Sequence, residues 1–157
     1  MRKRLSPDKK ALSSAYRLLK VRDRSEKEIR DRLLKKKYPN STIDSVIAHL
    51  KDLSYIDDKK FSREWVNFRL KTPFGIKRII LELRQKGIDE EIISEALREV
   101  RKSDVEREAL TSLAKKRINN LHKRNIIGIK ARQKLYQFLL RRGFSSSDII
   151  GVLEELN

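Results

Sequence analysis

At 157 residues the chain is long enough for one ordinary domain or a row of small modules. Hydrophobic residues make up 38% and charged residues 39%, a thin supply for one large core and a better fit to modules that each bury one face. The absence of cysteine excludes disulfides, a thiolate nucleophile and cysteine-rich zinc sites, while a net charge of +17, from 39 Lys and Arg against 22 Asp and Glu, favours a polyanionic partner, nucleic acid first.

The opening MRKRLSPDKK is basic with no apolar run behind it, so it reads as neither a signal peptide nor a membrane segment. Residues 1–8 are expected to be a flexible basic lead, and the protein to be cytoplasmic. A first helix is predicted from Lys9 to Val21, burying Ala11, Leu12, Ala15, Leu18 and Leu19. Ser25 followed by Glu28 is a capping box that opens a second helix with Ile29, Leu33 and Leu34, closed by Lys35, Lys36 and Lys37. After Pro39, Ser41 or Thr42 is expected to cap a third helix with Ile43, Val46, Ile47 and Leu50.

The middle of the chain repeats the scheme. Asp57 caps a helix whose Phe61, Trp65 and Phe68 fall on one face, and Pro73-Phe74-Gly75 breaks it. Ile76, Ile79, Ile80 and Leu83 form the next stripe, stopped by Gly87, where positive φ is needed. Asp89 then caps a helix with Ile92, Ile93, Ala96 and Leu97. Ser103 and Glu106 read as a further capping box, opening a helix over 104–122 that carries Val105, Ala109, Leu113, Ile118 and Leu121. Asn125 to Lys130 is expected to be a disordered or hinge-like linker. Two last helices follow, over 131–142 and 146–156, parted by Gly143, the second capped by Ser145. No alternation lasts long enough for a strand.

Ile79, Leu83, Ile88, Ile93 and Leu97 have counterparts fifty residues earlier in Ile29, Leu33, Tyr38, Ile43 and Ile47, and fifty-six residues later in Leu135, Leu139, Phe144, Ile149 and Leu153. Each helix has one apolar face and must bury it against its neighbours. The expected fold is all-α: an elongated array of three tandem three-helix, helix-turn-helix-like repeats, over residues 9–52, 56–100 and 104–156. The core is expected to hold Leu33, Phe61, Trp65, Ile79, Leu83 and Leu139.

No catalytic constellation is visible. His49 and His122 lie in different modules without metal-ligand spacing around them, so no metal and no cofactor is expected. Gly75, Gly87 and Gly143 read as helix terminators rather than a phosphate loop. Trp65 is read as core in preference to a base-stacking platform, with Phe74 the more exposed aromatic. A groove-reading role for the helices at 42–52 and 90–99 is disfavoured, because they are poor in Arg, Asn and Gln and the second carries Glu90, Glu91 and Glu95. Charge is unevenly spread. No Asp or Glu occurs between Ala109 and Ser147, where Lys115, Lys116, Arg117, Lys123, Arg124, Lys130, Arg132 and Lys134 are expected to form a phosphate-facing stripe. The middle module mixes signs as a protein-facing surface does, with Arg63, Arg69, Lys71, Lys77 and Arg78 the expected partner contacts.

The stretches YIDDKKFSREWVNFR and GIKRIILELRQKGIDEEIISEAL closely resemble the RecX family of bacterial regulators of the recombinase RecA. The resemblance extends through SEKEIRDRLLKKKY upstream and more loosely through RQKLYQFLLRRGFSSSDIIGVL downstream, and is weakest from Asp104 to Lys130. It implies an elongated helical, non-enzymatic protein that binds along the groove of the RecA–DNA filament and inhibits strand exchange and the coupled ATP hydrolysis; the repeat offsets and thin apolar supply lead us to expect a monomer. It also implies binding to single- and double-stranded DNA. Two departures stand out: Lys37 replaces the repeat's glycine, so the turn is expected to be rearranged around Pro39, and the charge is more basic than the family pattern. The competing classes are a sequence-independent DNA-binding protein with no recombinase target and a helical adaptor whose charge is only solvated surface.

Overall fold

The apolar stripes become ten helices in the computed structural model, which describes residues 8–156: α1 (Lys9–Leu19), α2 (Glu26–Lys35), α3 (Asn40–Asp52), α4 (Asp58–Leu70), α5 (Ile76–Gln85), α6 (Glu90–Ala96), α7 (Arg98–Lys102), α8 (Val105–His122), α9 (Gly128–Arg141) and α10 (Ser146–Glu155). The fold is all-α, with three tandem three-helix repeats, α1–α3, α4–α6 and α8–α10, and α7 a short connection. The basic lead lies outside the described residues except for Asp8. That residue caps α1, its carboxylate accepting from Lys10 N at 2.8 Å and Ala11 N at 2.9 Å. The chain divides into two compact units. One runs to Glu64 and takes in Leu83–Ile93; the other holds Trp65–Glu82 and the chain from Ser94.

In the first unit, Ala11, Ala15, Ile29, Leu33, Val46 and Leu50 form the centre of a fully buried cluster. The Ser25–Glu28 capping box is made in both directions. Neither Ser41 nor Thr42 caps α3: the helix begins earlier, at Asn40, behind Pro39, which fixes φ and supplies no side-chain bond. The turn after α2 is not rearranged either. Lys37 takes φ +63° itself, and Tyr38 N donates to Leu33 O at 3.3 Å. The same six-to-one bond closes α5 (Ile88 N to Leu83 O, 3.1 Å) and, in the second unit, α9 (Phe144 N to Leu139 O, 3.4 Å).

The second unit centres on Leu110, Ala114, Leu121, Leu135, Leu139 and Ile149. On α8 the buried face is Leu110, Ala114 and Leu121. Val105 is exposed and Ala109, Leu113 and Ile118 are half-buried, because apolar residues are spread widely around this helix and spacing does not fix its rotation. Gly128 to Lys130 form the first turn of α9 rather than a linker. Ser145 does cap α10, accepting from Asp148 N at 3.1 Å.

Of the expected core, Leu33, Ile79, Leu83 and Leu139 are fully buried and Phe61 nearly so. Trp65 is only half-buried and Phe68 is 56% exposed, while Ser62 and Val66 are buried. The inward face of α4 is rotated toward Ser62, whose hydroxyl is satisfied by Asp58 O at 2.6 Å. A buried serine on an apolar face is invisible to a hydropathy pattern.

Each unit contains a junction between successive repeats, and the two are built alike. In the first, Ser25 Oγ donates to Lys86 O at 2.7 Å, Asp58 Oδ1 accepts from Glu26 N at 2.9 Å, and a Cβ on Gly87 would strike Lys27. In the second, Gly75 N donates to Arg142 O at 2.9 Å, Glu106 Oε1 accepts from Ile76 N at 2.7 Å, and a Cβ on Gly143 would strike Arg78. An acid from the opening helix of one repeat thus caps the second helix of the repeat before it. Burial pushes both carboxyls, Asp58 and Glu106, above the ordinary range. Ser103 and Glu106 therefore form no capping box: Ser103 Oγ bonds Val100 O, and Glu106 serves α5. Gly75 terminates no helix. It precedes α5 at a backbone approach so close that a Cβ there would overlap Gly143 and Phe144.

Candidate nucleic-acid and partner interface

Helices α8 and α9 are packed neighbours joined by the turn that carries Lys123 and Arg124. Lys115, Lys116, Lys123, Arg124, Lys130 and Lys134 are all exposed. Lys116 and Lys123, seven residues apart, share a face of α8 and its end, and Lys130 and Lys134, one turn apart, share a face of α9 with Arg141. Exposed cations thus form a row on each of two adjacent helices, and Arg141 extends the row on α9. No carboxylate interrupts the span.

Two expected members are set differently. Arg132 is half-buried. Arg117 is half-buried as well, its guanidinium 4.8 Å from the Phe138 ring centre. Arg117 belongs to a chain of stacked groups in the second unit. Arg142 lies 5.1 Å from Phe138 and 4.9 Å from Phe74, and Arg69 lies 4.3 Å from Phe74 and 5.8 Å from Trp65. Such a ladder has no periodicity, and nothing in the sequence joins Phe74 to Phe138.

Glu82 is the buried carboxylate beneath the ladder. It accepts from Trp65 Nε1 at 3.1 Å, from Arg78 Nε at 3.0 Å, and from Arg69 through both Nε and Nη2. Burial pushes its carboxyl up, but the hydrogen bonds from Arg69 and Arg78 outweigh that and hold it below the ordinary range. Arg69, with a side chain 16% exposed and its fork spent on Glu82, is therefore an internal ion-pair member and not a partner contact. Arg78 is more open but shares Glu82. Arg63, Lys71 and Lys77 are exposed.

Among the described residues, no group of three His, Asp or Glu side chains could hold a metal ion, and no helix is long and apolar enough to cross a membrane. What the two cationic rows offer is attraction to phosphate without base readout.

Comparison with known proteins follows the repeats. The family models for the first, second and third three-helix domains of RecX match residues 11–50, 57–97 and 104–153 in that order. Regulatory protein RecX of Clostridium botulinum (strain Alaska E43 / Type E3) is 36% identical over 145 residues, covering 92% of this chain and 66% of the relative. The chain thus spans about two thirds of the length of that relative. RecX of Prosthecochloris aestuarii is 34% identical over 156 residues, covering 96% of each chain. The crystal structure of RecX from Lactobacillus salivarius superimposes with a TM-score of 0.78 at 30% identity, over 94% of both chains.

Proposed function

The chain belongs to the RecX family of regulatory proteins, and from that premise we propose that it binds the filament a RecA-type recombinase forms on DNA and lowers its ATP hydrolysis and strand exchange. It acts in the cytoplasm as a monomer, by binding alone. The observation that carries the reading is the correspondence of all three repeats, in order, to the three domains of those regulators. The acid-free rows on α8 and α9 support direct phosphate contact by Lys115, Lys116, Lys123, Arg124, Lys130 and Lys134. The mixed charges of the middle repeat support a protein contact through Arg63, Lys71, Lys77 and Arg78. Arg69 is left out, since its fork is already used.

The same exposed rows favour a second reading, a sequence-independent DNA binder without a recombinase target. A salt series on free single strands and co-sedimentation with preformed filaments separate the two. Lys115, Lys116, Lys123 and Arg124 replaced together by Gln should lower the log–log salt slope by about 0.7 for each phosphate contact removed. Arg117 is spared because its ring stacking would confound the result. Filament binding should weaken less than binding to free DNA. An unchanged slope in a folded variant removes the rows from the reading, and equal loss in both assays supports the second reading.

A further inference from the structure

Two of the most exposed large apolar side chains stand together in the most cationic stretch of the chain. Ile127 is 68% exposed and Ile129 77%, whereas the adjacent Ile126 packs against the core of its unit. They flank Gly128, which opens α9 at φ +61° with open space where a Cβ would sit. Lys123, Arg124 and Lys130, all exposed, lie within four residues of the pair. Two isoleucines held in water contribute nothing to folding and forfeit the gain of burial. The surface that fits this pair and its cations combines negative charge with apolar faces. A nucleic-acid strand with unstacked bases does so: its phosphates match the cations and its base faces match the isoleucines.

We propose that Ile127 and Ile129 form a contact for unstacked nucleobases, with the flanking phosphates held by Lys123, Arg124 and Lys130. The proposal rests on the DNA contact in the reading above and adds a preference to it. In a duplex the base faces are covered by stacking, so the pair adds affinity for single strands and little for duplex. An apolar contact releases no counterions, so it shifts affinity without changing the salt slope, which phosphate contacts set.

The test uses the full chain, its I127S/I129S variant and its I127L/I129L variant. Each is titrated against one oligonucleotide, single-stranded and as duplex, with 2-aminopurine as an internal base and anisotropy read across a salt series. Wild type should bind the single strand more tightly and raise the 2-aminopurine emission as bases unstack. The Ser variant should lose about tenfold in single-strand affinity, keep the salt slope, lose the emission change and bind duplex as before. The Leu variant should behave as wild type, which shows that apolar character and not shape carries the effect. Unchanged single-strand affinity in the Ser variant, equal loss on duplex, a lowered slope, or no emission change with wild type each overturns the proposal. Loss of filament binding with single-strand affinity intact also overturns it, because the pair would then meet protein. If wild type binds neither DNA form, the underlying DNA reading falls as well. If wild type binds with a steep salt slope and only the isoleucine effects are missing, that reading stands and this inference alone fails.

Discussion

Lys37 holds φ +63° at the end of α2, where its counterparts Gly87 and Gly143 hold +75° and +89°. Those two glycines answer two demands at once, the left-handed backbone and the contact with Lys27 or Arg78 of the preceding repeat. Lys37 is exposed, so only the backbone demand applies. An L-residue in this region costs about 1 kcal/mol, partly offset in glycine by a more disordered unfolded state. Lys37→Gly should therefore raise unfolding free energy by about 0.5–1 kcal/mol in urea denaturation; a loss of stability contradicts the account of this turn. Glu28 is a second single-residue case. Burial alone would raise its carboxyl, but hydrogen bonds from Arg22, Lys86 and its capping-box N–H bring it down to about 2 from an ordinary 4.5. A lowered folded-state value means a contribution complete above pH 4.5 and lost as pH falls toward 2. Glu28→Gln should thus cost about 1–3 kcal/mol near neutrality, with the difference from wild type closing over that window. A pH-independent difference would show that the charge is not what matters.

Between elements, the repeat junctions decide stability, and the second is the more exacting because backbone meets backbone. Gly75→Ala would drive a methyl into Gly143 and Phe144, which cannot yield as a flexible side chain does. A cost of about 1–3 kcal/mol is expected. Gly151→Ala is the internal control: it lies within α10 with open space around it, so the same change should stabilise by roughly 0.5–1 kcal/mol. The two midpoints, measured by thermal unfolding, should move in opposite directions; a shared direction would contradict the junction geometry. The sequence could not reveal these junctions. Glu106 looks like half of a local capping box, and the group it caps, Ile76 N, lies thirty residues away.

Across the whole molecule, helix existence and the threefold repeat were legible because apolar spacing at Ile29/Leu33, Ile79/Leu83 and Leu135/Leu139 reflects burial directly. The partition of cations was not. Arg69 and Lys71 look equivalent in the sequence, yet Arg69 is spent on Glu82 while Lys71 is exposed. Arg117 sits beside Lys116 but stacks on Phe138. Charge counts say how much a surface attracts phosphate; only packing says which side chains are left to do it. The central claim is that the protein acts on a recombinase filament, with the cationic rows adding to that contact. The direct measurement is ATP hydrolysis by a RecA-type recombinase preassembled on single-stranded DNA, with no free DNA, titrated with the protein at fixed salt. Hydrolysis should fall progressively, and the Lys115/Lys116/Lys123/Arg124 variant should still inhibit at higher concentration; hydrolysis that stays constant while the protein binds free DNA would contradict the claim.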